Sequence, residues 1–195
     1  MVNPEHTMTL ALFLTSATAA SFATADNILV GDTAPDVGIA LAINGDGDGD
    51  GRDDLLFGDP LAGGGNGSTA FLSGGSSGII GWSGADADIT GEAAGDQFGS
   101  AVAWGDINGD GLADAVVGAP NADPSGLSSA GTVYVFYGPL SGSLLASNAD
   151  VILTGAAAGD AAGSALSVAD YDGDSLADIA IGAPGNDAGG AGAGG

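Results

Sequence analysis

The chain repeats itself. Residues 89–120 read ITGEAAGDQFGSAVAWGDINGDGLADAVVGAP, and residues 153–184 read LTGAAAGDAAGSALSVADYDGDSLADIAIGAP. The two align without a gap at a spacing of 64 residues. A third copy, LVGDTAPDVGIALAINGDGDGDGRDDLLFGDP at 29–60, needs one deletion near Val37 and one insertion near Asn44. Units of this kind cannot bury an apolar face alone and must stack on one another. They divide the chain at about 26–82, 83–146 and 147–195, and the last is cut short by a Gly-rich tail, AGGAGAGG.

Within each unit, short apolar runs are separated by Gly, Asp and Pro clusters, and none has helical period. In the second unit SAVAW, DAVVGA and GTVYVFYG read as strands, matched in the first by DLLFGD and STAFLSG. Four short strands per ~60 residues is the arithmetic of a propeller blade, whose sheet packs only on its neighbours. The composition agrees. Hydrophobic residues make up 45% of the chain, but Ala and Gly dominate and aromatics are 6%, so the core is one of closely stacked sheets. The 38 glycines show no three-residue period, which excludes collagen. Trp104, Tyr134 and Phe136 are expected to pack between sheets rather than line a ligand cage.

The runs FGSAVAWGD, DINGDGLAD, VGAP and GTVYVF resemble the FG-GAP repeat of integrin α-subunit propellers, also found in secreted bacterial proteins. The resemblance covers about residues 26–195. It implies an all-β fold of four-stranded antiparallel blades, about two and a half to three blades of a seven-bladed propeller. It also implies calcium on the loop joining the first two strands of some blades. The first unit departs with Val37-Gly38 for Phe-Gly and Gly58-Asp59-Pro60 for Gly-Ala-Pro, the third with Ala162-Gly163.

That loop carries a ladder of oxygen ligands in every unit: Asp46, Asp48, Asp50 and Asp54; Asp106, Asn108, Asp110 and Asp114; Asp170, Asp172, Asp174 and Asp178. Calcium takes six to eight hard oxygen ligands in a flexible shell. Side chains at positions 1, 3, 5 and 9 supply some of them, and the backbone carbonyls of Arg52, Leu112 and Leu176 at position 7 supply others. An EF-hand would need an acidic residue at position 12, where Phe57, Val117 and Ile181 stand. Asp-Gly and Asn-Gly are also ordinary turn signals. Three loops in register, each crowding carboxylates that repel, point to up to three calcium ions. Position 6 is Gly51, Gly111 and Ser175. If the turn there needs a positive φ, Ser175 makes the third site the weakest.

The charge is extreme: 25 acidic residues against one Arg, Arg52, for a formal −24. Such a chain cannot neutralise phosphates, so no nucleic-acid partner is expected and anionic membrane surfaces are disfavoured. Self-repulsion calls for bound cations or a salty habitat. There is no Cys. The run LALFL at 10–14 followed by Ala23-Thr24-Ala25 reads as a signal peptide over 1–25 cleaved after Ala25, although its first residues carry no Lys or Arg. The other reading is an apolar strand of a preceding unit. Catalysis is not expected. Gly74-Gly75-Ser76-Ser77-Gly78 matches a nucleophile-elbow pattern, but the one His, His6, lies in the leader-like segment, and Glu92 is the one Glu beyond it.

The expectation is therefore a non-catalytic, calcium-binding module, extracellular, on the cell surface or periplasmic, that binds a protein or glycan. The alternatives are an accessory propeller of a larger secreted hydrolase and a purely structural, calcium-rigidified array. The missing blades are expected from a longer chain or from self-association.

Overall fold

A computed structural model describes residues 27–30, 40–75 and 78–187. The expected leader over 1–25, the deletion near Val37 and the Gly-rich tail lie outside the described residues. The described strands, in chain order, are β1 (Asn27–Val30), β2 (Ala40–Gly45), β3 (Asp54–Asp59), β4 (Ser68–Leu72), β5 (Gly78–Gly81), β6 (Ala87–Thr90) and β7 (Ala101–Gly105). They continue with β8 (Asp114–Ala119), β9 (Thr132–Phe136), β10 (Gly142–Leu145), β11 (Val151–Thr154), β12 (Ala165–Ala169) and β13 (Asp178–Gly182).

The fold is all-β and built of propeller-type blades. β2-β3-β4-β6 form one antiparallel blade, β7-β8-β9-β11 a second, and β12-β13 begin a third. Among the described residues the ring is not closed. The insertion near Asn44 takes the form of a β-bulge: the β2–β3 register shifts between Ala42 and Gly45, and Asn44 has φ of 76°.

Two strands lie outside this pattern. β10, from the connection that follows β9, pairs in parallel with β6 of the preceding blade, Gly142 opposite Ala87 through Leu145 opposite Thr90. β5 pairs in the same way with β1, Asn27 opposite Gly78 through Val30 opposite Gly81. β6, the outer strand of the first blade, is thus covered by a strand of the second, which blunts an edge that would otherwise offer unpaired N–H and C=O groups.

Side chains alternate along each inner strand in a way that fits blade to blade. In the first seam Ala40 and Ala42 of β2, with Leu56 and Phe71, meet Val102, Trp104, Val117, Tyr134 and Phe136. In the second, Ala103, Val116, Val133 and Val135 meet Leu166, Val168, Ile179 and Ile181. Small residues of one inner strand accept large residues of the next. Trp104, Tyr134 and Phe136 are buried in the first seam, as expected of packing residues. Phe71 meets Trp104 edge-on at 5.8 Å, and Phe98 meets Tyr134 at 5.4 Å.

Glycines set the seam spacing. A Cβ on Gly58 would stand 2.0 Å from the carbonyl oxygen of Gly99, and one on Gly118 2.1 Å from that of Gly163. Gly99 N–H donates to the Gly118 carbonyl, and Gly163 N–H to that of Gly182, at 3.0 and 3.1 Å. A file of glycines therefore runs from blade to blade. The third unit keeps Gly163 where it replaces Phe by Ala162, so its seam closes in the same way.

Candidate metal centre

Each Asp ladder occupies the loop between the first two strands of its blade. In the first two loops the Asp at position 1 gathers three backbone N–H groups. Asp46 Oδ1 accepts from Gly49 and Asp50 at 2.7 and 3.1 Å, and its Oδ2 from Gly51 at 2.8 Å. Asp106 repeats the pattern with Gly109, Asp110 and Gly111 at 2.7, 3.1 and 2.9 Å. Asp170 accepts from Gly173 at 2.7 Å and Ser175 at 3.1 Å. Position 3 accepts from the N–H at position 5: Asp48 from Asp50, Asn108 from Asp110, and Asp172 from Asp174. Asp50, Asp110 and Asp174 accept in turn from the N–H groups of Arg52, Leu112 and Leu176.

Position 6 is left-handed in all three loops: φ is 86° at Gly51, 90° at Gly111 and 75° at Ser175. Ser175 is therefore the one position-6 residue whose side chain opposes the turn.

The carboxylate oxygens of Asp46, Asp48 and Asp50 lie within 4.8 Å of one another, as do those of Asp170, Asp172 and Asp178. In the second loop Asn108 replaces the middle carboxylate, and its Nδ2 donates to Asp110 Oδ2 at 3.0 Å. Arg52, the chain's one Lys or Arg, pairs with Asp50 at 3.0 Å on the surface. An all-oxygen donor set on a turn of this shape fits a hard divalent cation such as calcium.

The position-9 carboxylates have a second task. Asp114 is buried; its Oδ2 accepts from Ile107 and Asn108, and its Oδ1 from Gly138 just past β9, at 2.8, 3.3 and 3.0 Å. Asp54 does the same with Gly47 and Gly74 at 2.7 and 2.6 Å. These struts tie the loop to the third strand. Burial pushes both carboxyls above the ordinary aspartate value, against the backbone N–H groups that pull them down. Asp178 keeps the loop half of the pattern, accepting from Tyr171 and Asp172.

The loops are joined in series. Ala113 N–H, in the second loop, donates to the Asp46 carbonyl of the first at 2.9 Å, and Ala177 N–H to the Asp106 carbonyl at 2.8 Å. Sequence reasoning did not anticipate these bonds, nor the clasps made by Asp86 and Asp150. Those carboxylates accept the N–H groups of Ser73 and Tyr137 at 2.9 and 2.8 Å, fastening the third strand to the fourth. The recurrence of Asp just before ADIT and VILT was the available signal. A second acidic group joins Glu92, Asp96 and Asp123, of which Glu92 and Asp96 lie near Tyr134. Burial, then Asp123 and Glu92, raise Asp96, and burial with Glu92 and Asp96 pushes the Tyr134 phenol to about 12.

The nucleophile-elbow pattern does not begin a strand-turn-helix: Gly74 and Gly75 turn after β4, and Gly78 opens β5. Among the described residues no helix is long and apolar enough to cross a membrane.

The family model described as FG-GAP repeat matches residues 98–136 and 162–195. Phosphatidylinositol-glycan-specific phospholipase D of Bos taurus is 41% identical over 88 residues, 45% of this chain and 10% of that protein. The enzyme of the same name from Rattus norvegicus matches equally, and that from Homo sapiens is 38% identical over 88 residues. The chain thus spans 10% of the length of these relatives.

Proposed function

Because the chain carries FG-GAP repeats, we propose that it is a non-catalytic, calcium-binding propeller module that binds a protein or glycan partner outside the cytoplasm. The observation that carries the calcium reading is the triplication of one oxygen-lined turn, with carboxylates gathered within 4.8 Å in the first and third loops. Asp46, Asp48 and Asp50, then Asp106, Asn108 and Asp110, then Asp170, Asp172 and Asp174 would hold the ions. Asp54, Asp114 and Asp178 would brace the turns and complete the shells, with the carbonyls of Arg52, Leu112 and Leu176. Bound calcium supplies charge compensation that clamps loops carrying much of the −24. Sites of this exposure suit an extracellular calcium level of about a millimolar.

Thermal unfolding of the whole chain at fixed ionic strength, in calcium, in magnesium and in chelator, tests this reading. A calcium-specific rise in midpoint that an Asp106→Ala/Asp110→Ala variant diminishes is expected. Equal melting in all three, with stability following total salt alone, would leave a salt-adapted acidic surface and ordinary turns.

A second reading has its own observation. The matched relatives are named as phospholipases, of which this stretch is a tenth. On that reading the array is an accessory module of a larger hydrolase. A longer reading frame with an appended catalytic domain would favour it, and further repeats or an anchor would favour adhesion.

A further inference from the structure

The two ends of the described array carry the two halves of the seam that its interior makes twice. On the leading side, Leu41 of β2 is 47% exposed and Ile43 62%, whereas Val102 and Trp104, in the corresponding part of β7, are 8% and 7% exposed. Further out, the same face is closed. Phe57, Ala70 and Leu72 are buried there, and Trp82 meets Phe57 edge-on at 5.0 Å. The bare part is the inner strand.

On the trailing side, Ala165, Ser167 and Ala169 of β12 and Ala180 of β13 are exposed. Ala103 and Val116, which correspond to Ser167 and Ala180 one repeat earlier, are 8% and 0% exposed beneath the third blade. The glycines agree. A Cβ on Gly58 or Gly118 would strike the carbonyl of Gly99 or Gly163 in the next blade, but the nearest atoms to one on Gly182 belong to Ala165 of its own sheet, from 3.2 Å.

The loops add complementary charge. Position 7 of each later ladder lies over position 4 of the ladder before it: a Cβ on Gly49 would meet Leu112 at 3.1 Å, and one on Gly109 would meet Leu176 at 2.7 Å. The first ladder carries Arg52 at position 7, with its side chain 65% exposed, and the space over Gly173 in the third is open. The chain's one Lys or Arg thus stands where an acidic loop would precede it.

We propose that the leading face of one chain docks head to tail on the trailing face of a second copy. Leu41 and Ile43 then sit over Ala165, Ser167 and Ala180, and Arg52 lies over the third ladder of the other copy. The Asp53 N–H, equivalent to those of Ala113 and Ala177, is placed to reach the Asp170 carbonyl. One place departs from the regular seam on both sides. Ala169 stands where Gly45 and Gly105 make room for Trp104 and Val168, and the β2 bulge between Ala42 and Gly45 falls at the matching place of the leading face. A join between two different faces builds rings or open chains of copies rather than a two-fold dimer. Each copy carries −24, so net repulsion opposes the join and salt should strengthen it. The proposal does not rest on the calcium reading.

Light scattering on the full chain in ~1 M salt, where the Debye length is ~3 Å, tests it. The mass should rise above that of one chain as protein concentration rises. Ile43→Asp, which spoils the leading face, and Ala180→Glu, which spoils the trailing one, should each remain single copies. Mixed, they should form a species containing one of each, because the intact leading face of the second meets the intact trailing face of the first. An unsubstituted chain that stays single, variants that associate as it does, or a mixture that stays apart overturns the proposal. Both positions are exposed, so both variants should melt cooperatively. Leu41→Asp or Ser167→Glu takes the place of one that does not.

Discussion

At the scale of single residues, one side chain in the third loop stands against its own backbone. Ser175 holds a φ of 75° where its counterparts are glycines. Ser175→Gly should stabilise the protein by about 1 kcal/mol and tighten calcium at the third loop. Chemical denaturation and calcium titration of the variant would check both, and a destabilised variant would show that the hydroxyl contributes more than the strain costs. The need for this turn was legible in the sequence, because Gly recurs at position 6 in two copies. The strut role of Asp114 was not. Its partner Gly138 lies 24 residues further on, and position 9 reads in sequence only as one more ladder residue.

The struts also set a pH dependence. Asp54 and Asp114 have folded-state pKa values raised by burial, so the folded form holds their protons more tightly than the unfolded form. Their contribution is fully present below the ordinary aspartate value of about 3.9 and is lost as pH rises through the raised values. In chelator, melting midpoints should therefore fall as pH rises from about 4 toward neutrality, and a midpoint that climbed over that range would contradict the assignment.

At the scale of elements, strands and their order within a blade were legible because turn residues punctuate every run. The parallel pairing of β10 on β6 was not, since it joins segments 55 residues apart and no local pattern encodes it. The glycines of the seam were visible as a motif but not as a reason. Their reason is contact between backbones, and it makes a sharp demand. Gly118→Ala places a methyl 2.1 Å from the Gly163 carbonyl, with Gly163 Cα at 3.2 Å. Backbone cannot yield as a flexible side chain would. A loss of about 3 kcal/mol is expected by equilibrium unfolding, at the upper end of overpacking costs. Gly118 is not left-handed, so this cost is contact alone, whereas Gly126→Ala, at a φ of 81° with open space around its Cβ, would report the cost of a left-handed turn without a clash.

At the scale of the whole molecule, the charge and the loops are one problem. The ladders lie one blade apart, and the Ala113–Asp46 and Ala177–Asp106 hydrogen bonds link each to the next. Filling one loop fixes the carbonyl that its neighbour leans on. Disabling the second loop with Asp106→Ala/Asp110→Ala should therefore weaken calcium at the remaining loops by about fivefold, the lower end of ordinary coupling. Calorimetric titration would read this directly, and unchanged affinities there would mark the loops as independent. The sequence announced how many loops there are; it gave no sign that they touch, because the contact arises only once blades are stacked.

The covering of β6 by β10 of the following blade has a consequence for how such a gene changes length. A repeat of 64 residues carries both an outer strand and, in its successor, the strand that pairs with it. Unequal crossing-over between two copies adds or removes one such period wherever the breakpoints fall, provided they fall at equivalent positions. The junction then meets a partner of the same register where the flanking copies align without a gap, as 89–120 and 153–184 do. Copy number can thus change between such copies without exposing a sticky edge at the new seam, and selection would act on the ends of the array rather than on its interior.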